Sequence, residues 1–533
     1  MKFTHIPFHK TGFFSKTMTD YLDQKKSIKQ FYSNFPDIKG FASQINEKKK
    51  SFDLATREKL VTVLKDQYRN VSATEAIIEN INSLENKETF TITTGHQLNL
   101  FTGPLYFLYK IISTINLTES LAEQFPDQRF VPVYWMATED HDFKEISYFN
   151  FKGKEVSWDR PNGGAVGRFS LEGLQEVHAH FSKQLGDTKN AIFLSQLFEK
   201  AYVSHSNLAD ATRYIANELF KSYGLVILDA DDQRLKNIFA PLMKDELLYQ
   251  TSKKAVSKTI LNLEKKYKIQ VNPRDINLFY LTENSRERII ENEGKYTIHN
   301  TDLVFSEAEI LNELENHSDR FSPNVILRGA YQETILPSVV FVGGGGELAY
   351  WMELKNVFAQ AGVNYPVLLL RNSFLFINEK QAKQWASLEF NSDALFNSIQ
   401  ALELAFVKQQ SVENLALTEH IASLTDLYKL IQKDVIKIDS SLGDHALNLS
   451  VQAQKKLALL EKKMIRAEKR KQHTSLARIH SIKSELFPDN NLQERVENFS
   501  KWVGEYGWSW VEAILKNSNS VDASFTIIHT SKD

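Results

Sequence analysis

Four consecutive ionisable side chains, Glu139, Asp140, His141 and Asp142, follow the apolar run FVPVYWM and the pair Ala137-Thr138. Carboxylates held this close repel one another, and the repulsion raises the pKa of at least one of them. Such a cluster can serve as a general base, bind a substrate ammonium, or hold Mg²⁺ through carboxylate oxygens. Capping the next helix would take one acid rather than three acids and a histidine. Asp140, His141 and Asp142 are therefore the leading proton acceptors, with Glu139 beside them as a binding group.

A second cluster follows the run TFTITT at 89–94, where Gly95, His96 and Gln97 precede Thr102, Gly103 and Pro104 at the start of helix-compatible sequence. The spacing predicts that amides from Gly103 to Tyr106 face a bound anion, although the same residues also serve simply to turn the chain. His96 joins the catalytic candidates, and Gly95, Gln97, Thr102, Gly103 and Tyr106 the binding ones. Lys110 either adds positive charge to this loop or is a surface lysine.

The run GGGGELAYW at 343–351 joins a third apolar run to a helix and supplies Gly344, Gly346, Glu347 and Tyr350. Leu348 stands where GxGxxG needs its third glycine, and no Lys-Ser/Thr follows to make a P-loop. Glu347 is expected to repel phosphate, which favours an amine or hydroxyl at this turn. Asp229, first of DADD, suits a ribose hydroxyl, a metal or a solvated turn. Trp135, Tyr350 and Trp351 make either an apolar pocket wall or ordinary core. The 14 histidines show no HExxH or facial-triad spacing, so no metal site is assigned.

These clusters need a scaffold that brings strand ends together. Five β-branched and aromatic segments, 89–94, 130–136, 224–229, 338–342 and 366–371, are each followed by a turn and helix-compatible sequence. This order predicts an α/β fold with a parallel sheet covered on both faces, whose carboxyl edge holds the ligand. Two long stretches interrupt it. One carries turn residues Pro161, Asn162, Gly163 and Gly164, and the other the strand-like pieces KYKIQVNP, NLFYLTE and KYTIHN. Both read as excursions over the pocket.

After residue 378 the composition turns to Gln, Glu, Lys, Leu and Ala. Leu417, Ile421, Leu424, Tyr428, Ile431, Val435, Ile438 and Leu442 keep heptad spacing, which predicts a helix of about 39 Å over 417–442. SLGDHA is expected to break it. A second stripe through Ala446, Ser450, Ala453, Leu457, Leu460, Met464 and Ala467 completes an antiparallel helical hairpin that packs on its own core or on another copy.

With 64 basic and 66 acidic residues the chain has no electrostatic footprint for nucleic acid or an anionic membrane. There is no membrane-spanning apolar run and no signal-peptide pattern at the N-terminus, so a cytoplasmic protein is expected. The absence of cysteine rules out disulfides, thiolate-bound zinc, iron–sulfur clusters and a thiol nucleophile.

Taken together, TGHQLNLFTGPLY, VPVYWMATEDHDFKEI, GLVILDADD, FSPNVILRGAYQETILPSVVFVGGGGELAYWMELK, LEKKMIRAEKRK and LQERVENF resemble the bacillithiol biosynthesis BshC family of cysteine-adding ligases. The chain differs at His96, where Gln is expected, and at Gly345, where the family carries Gly-Pro-Gly. The resemblance implies a Rossmann-like core of the class I synthetase or nucleotidylyltransferase kind in three parts, 1–145, 205–250 and 323–377. Connecting-peptide insertions at 146–204 and 251–322, a coiled-coil arm at 378–487 that mediates homodimerisation, and a C-terminal segment at 488–533 that packs back on the core complete it. It also implies addition of L-cysteine to glucosaminyl-malate. The cysteine carboxylate would be activated, most simply as an adenylate from ATP with Mg²⁺, and then attacked by the unprotonated glucosamine nitrogen. A nucleotidylyltransferase, an ATP-dependent ligase for another amino acid, and a non-catalytic coiled-coil assembly protein are the alternatives.

Overall fold

A computed structural model describes residues 2–161 and 163–530; Asn162 of the expected turn lies outside them. Five strands form the central sheet: β1 (Thr89–His96), β2 (Arg129–Met136), β3 (Val226–Asp229), β4 (Ser338–Gly343) and β5 (Val367–Leu370). Their order is β5-β4-β1-β2-β3 and every pairing is parallel. The chain works outward from β1 to β3, then returns to the other side of β1 for β4. Between β1 and β4 the crossovers leave in opposite directions, and this is the crevice where ligands bind in open α/β sheets.

The apolar runs lack strict alternation because both faces are covered. Along β2, Val131, Val133 and Trp135 enter one core and Tyr134 and Met136 the other. β1 continues past Thr94, since Gly95 pairs with Trp135 and His96 with Met136. This extension carries the chemistry-bearing residues to the sheet edge itself.

Four helices position the site: α1 (Tyr106–Gln124), α2 (Gln233–Tyr249), α3 (Val325–Ile335) and α4 (Gly345–Glu353). The insertion after β2 holds the hairpin Tyr148–Phe151/Lys154–Ser157 and helices Leu174–Leu185 and Lys189–Tyr202. The later insertion builds a five-stranded antiparallel sheet that includes Leu278–Leu281 and Lys295–Ile298. KYKIQVNP is not one of its strands. The Gln270 and Val271 amides donate to the Glu353 carboxylate at 2.7 and 3.1 Å, which replaces ladder bonds. The two insertions touch, and a Cβ on Gly163 would fall 2.5 Å from the Asn284 carbonyl oxygen.

The arm is an antiparallel pair, α5 (Thr418–Ile436) and α6 (Leu442–Lys471). The break falls at 437–441 rather than across SLGDHA, most of which lies in the first turns of α6. At 19 residues α5 is about 28 Å long, shorter than the heptad stripe implied. Gly443 lies tight against Ile436, where a Cβ would meet the isoleucine side chain at 2.8 Å, so the glycine permits the close turn. The termini meet in a separate sheet, in which Ser524–Thr530 pairs antiparallel with Lys2–Pro7 and parallel with Ser373–Asn378.

Candidate active site at the strand switch point

The carboxyl ends of β1, β2 and β4 open into a cavity of about 720 Å³, within the usual range for small-molecule sites. Of the sequence candidates, Gly95, His96, Gln97, Tyr106, Lys110 and Trp135 line it from β1, α1 and β2. Glu139, Asp140 and His141 enter from the loop after β2, and Gly344, Gly346, Glu347 and Tyr350 from the loop and helix after β4.

Backbone pairing fixes the loop after β2. The Val166 amide donates to the Asp140 carbonyl and the Gly167 amide to that of Thr138, both at 2.8 Å. A Cβ on Gly167 would lie 2.7 Å from Thr138 Cβ, so the first insertion needs glycine there to approach. Gln97 Nε2 bridges the Asp140 and Glu145 carboxylates at 2.8 Å each.

The carboxylates of this loop differ in character. Burial would raise the Asp140 pKa, but hydrogen bonds from His141 and Gln97 and the Arg286 charge outweigh it and hold it far below the ordinary value. Glu139 is pushed up by burial and by Asp231, against the pull of Lys236. Its Oε1 lies 2.7 Å from Lys236 Nζ on α2, and Lys236 also reaches Asp231 at 2.8 Å. Asp140 is thus a weak base, and Glu139 the stronger proton acceptor of the two.

On the other side of the crevice, Lys110 Nζ lies 2.6 Å from Glu347 and donates to the Gly95 carbonyl at 2.7 Å. The Gly344 amide donates to the same Glu347 carboxylate at 2.8 Å. Glu347 therefore presents a compensated charge, which corrects the expectation that it repels a phosphate. His96 Nδ1 lies 2.8 Å from the Gln97 carbonyl, so it carries the proton and leaves the buried Nε2 as an acceptor without a partner among the described residues. Burial and then Lys110 push His96 down to about 3, so it stays neutral at physiological pH.

Several candidates stand apart from the cavity. Phe101 and Thr102 adopt positive φ, which tightens the turn after β1. The Thr102 amide donates to Asn99, Gly103 to Leu100, and Leu105 to Glu497. The amides expected to face an anion at Gly103 and Leu105 are thus engaged within the turn and by the C-terminal segment. Asp142 lies outside the lining. Asp229 accepts from Thr138 Oγ1 and the Asp231 amide, which makes it a support for the loop. Trp351 stacks on Phe341 at 4.2 Å in the core, whereas Trp135 and Tyr350 line the cavity together with Tyr106 and Phe279.

Sequence comparison fixes the family. The chain matches the model of the bacillithiol biosynthesis BshC N-terminal Rossmann-like domain over residues 1–372 and that of the C-terminal coiled-coil domain over 374–530. It belongs to the bacillithiol biosynthesis BshC family. A relative from Flavobacterium johnsoniae named "Putative cysteine ligase BshC" is 48% identical over 98% of this chain and 99% of its own. One of the same name from Bacillus mycoides is 27% identical over 96% and 97%. A solved Campylobacter jejuni structure titled "putative arginyl t-RNA synthetase" covers 83% of this chain and 98% of its own at 12% identity, with a TM-score of 0.21, too loose to bear on the architecture.

The sequence reading missed the cationic wall of this BshC-family chain. Arg274 and Arg286 come from the second insertion, Arg328 from α3, Arg371 from the end of β5 and Arg495 from the C-terminal segment. They are scattered along the chain, so no local motif marks them; the one signal is a lone arginine within the apolar helix sequence NVILRGAY. Arg286 is the most engaged. It binds His141, Ser322 and the Pro323 carbonyl and packs over Phe279 at 4.1 Å. Among the described residues no group of three or more His, Asp or Glu side chains converges as a metal cage.

Proposed function

We propose that this chain is a ligase that forms an amide bond between the carboxylate of L-cysteine and the amino group of glucosaminyl-malate, giving bacillithiol. The observation that supports this reading is a lining of both charges in one cavity. Glu139, Asp140 and Glu145 share it with Arg274, Arg286, Arg328 and Arg495. An amino acid and an amino sugar that carries a dicarboxylate present the complementary pattern of ammonium and carboxylate groups. The names of the relatives, which specify a cysteine ligase, support the cysteine half of this reading.

Amide formation from a free carboxylate is uphill in water, so the cysteine carboxylate has to be activated, and ATP would supply that activation. The donor set fits a nucleotide, since the arginine side chains and the open space beside Gly346 leave room for phosphate oxygens. The chain's own residues carry the rest. Glu139 takes the proton from the sugar ammonium, because it is the lining carboxylate whose pKa is raised. Asp140, with its proton affinity suppressed, holds the ammonium electrostatically. His96 Nε2 accepts a substrate hydroxyl or N–H, and Lys110 with Glu347 keeps the ends of β1 and β4 in register. Mg²⁺ would bind through one or two of these carboxylates together with phosphate oxygens.

The arm supports pairing with a second copy. Leu427, Leu430 and Leu459 are 52, 59 and 58% exposed, an apolar surface left outside the hairpin seam. The decisive test is mass-spectrometric detection of bacillithiol from glucosaminyl-malate, L-cysteine and Mg²⁺, with and without ATP. Product only with ATP supports the reading; no product under either condition refutes it.

A further inference from the structure

We infer that Arg328 is the oxyanion anchor of the cavity, held over Gly95 and oriented by Tyr350 so that the free part of its guanidinium takes a substrate carboxylate or phosphate. The inference deepens the proposed reaction and rests on that reading only for the name of the ligand.

Three observations carry it. The first is the close approach to β1. A Cβ built on Gly95 would lie 3.2 Å from Arg328 Nη1, tighter than an ordinary contact. Gly95 pairs regularly with Trp135 and is not among the positive-φ glycines, so its conformation does not call for glycine. The guanidinium lies across the strand end, where a side chain at position 95 would press it aside by a few tenths of an ångström.

The second is the pattern of partners. Arg328 Nη2 donates to Tyr350 Oη at 2.9 Å, and among the described residues Nε and Nη1 have no hydrogen-bond partner. The other inward arginines are more heavily engaged, although Arg371 Nε is buried without a partner among the described residues. Arg371 pairs with Glu494 at 2.8 Å, and Arg286 binds Ser322, Pro323 and His141. Arg274 and Arg495 are exposed, where water serves them. Arg286 and Arg328 are both partly withdrawn from solvent, line the cavity and have no ion-pair partner among the described residues, but Arg286 spends Nε, Nη1 and Nη2 on Ser322, His141 and the Pro323 carbonyl, whereas Arg328 keeps Nε and Nη1 available. A guanidinium so placed gains most from a ligand that accepts two parallel N–H bonds.

The third is the electrostatic setting. Burial disfavours the Arg328 charge, but Tyr350, Glu347 and Asp140 outweigh it, so the cation persists. Glu347 itself is engaged by Lys110 and the Gly344 amide, which leaves the side of Arg328 away from Tyr350 open to an external anion. Tyr350 is a positioning residue: its hydroxyl fixes one edge of the fork and leaves the other directed at the ligand.

Isothermal titration of the wild type, Arg328→Gln, Gly95→Ala and Tyr350→Phe with glucosaminyl-malate, L-malate and inorganic phosphate tests this. Arg328→Gln should weaken at least one anion tenfold or more. Loss confined to the malate ligands identifies a carboxylate, and loss confined to phosphate identifies a phosphoryl group. Gly95→Ala should weaken the same anion by less than Arg328→Gln, since it only displaces the guanidinium with the charge intact, which guards against misfolding of the Gln variant, and Tyr350→Phe should likewise show a smaller loss. Unchanged affinities in Arg328→Gln, or no anion binding by the wild type, would overturn the assignment. Bacillithiol formation followed in parallel separates the two claims. A wild type that makes product while Arg328→Gln keeps its KM for glucosaminyl-malate sinks only the anchor. Anion binding that depends on Arg328 in a chain that makes no product sinks only the reaction.

Discussion

Lys110 on α1 and Glu347 on α4 meet at 2.6 Å across the crevice, and the same ammonium holds the Gly95 carbonyl at the end of β1. One buried lysine thus ties together the two central strand ends between which the chain reverses direction. Breaking such a pair by removing one partner strands the other charge, at a cost of about 3–5 kcal/mol. Lys110→Met should therefore lower the urea midpoint markedly and abolish product formation. Lys110→Met combined with Glu347→Gln should recover much of the stability and none of the activity. Strictly additive losses would show that the two side chains do not act as a pair.

The acidic loop after β2 predicts a ranking of three substitutions. Glu139 carries the raised pKa, Asp140 lies in the cavity with a depressed one, and Asp142 lies outside the lining. Glu139→Gln should reduce kcat by about 10²–10⁴-fold, the usual contribution of a general base. Asp140→Asn should act mainly on KM for the amino sugar, and Asp142→Asn should stay near wild type. Because a base must be ionised, kcat/KM of the wild type should fall as pH drops through the raised Glu139 pKa. Glu139→Gln should lack that limb, and a limb that survives the substitution assigns the base elsewhere.

Glu353, on the last turn of α4, ties the second insertion to the core through the Gln270 and Val271 amides, and burial lifts its pKa to about 7. In the unfolded chain the group titrates near about 4.3. Between those values the folded state binds more protons, so stability falls as pH rises through the window and levels off above it. Glu353→Gln should remove this slope, a difference of at most about 4 kcal/mol between acid and neutral pH. Denaturation curves of both proteins from pH 4.5 to 8 measure it directly; identical slopes would mean that Glu353 titrates normally.

How much of this was legible in the sequence depends on range. The five sheet strands announce themselves because burial on both faces demands unbroken apolar runs, and the resemblance placed them in a Rossmann-like core. The extension of β1 through Gly95 and His96 was not legible, since it depends on pairing with Trp135 and Met136. The role of Gly95 escaped for the same reason: its neighbour Arg328 is 233 positions away in sequence (328 − 95). The turn at Thr102 and Gly103 was read as ligand-facing because its residues suit either use, and only Glu497 and Asn498 from the far end of the chain decide between them. Local pattern marked where acids would gather after β2, while the arginines of the same cavity, drawn from four separate segments, left no local trace.

The arm makes the last prediction. Its seam residues Ile421, Leu424, Tyr428 and Val435 are partly buried, whereas Leu427 and Leu430 stay about half exposed on the outer side of α5. They are three positions apart and so lie on one face. If that face seats a second copy, Leu427→Asp with Leu430→Asp should turn a dimer into a monomer in light-scattering chromatography while the melting temperature of the core holds, because neither side chain supports the hairpin. Ile431→Pro should also abolish dimers, but by breaking α5 at about 3 kcal/mol or more, with loss of helical signal. The contrast separates a surface effect from a folding one. A wild-type chain that elutes as a monomer at micromolar concentration, or a double-aspartate variant that stays dimeric, places the arm's apolar face outside any self-association.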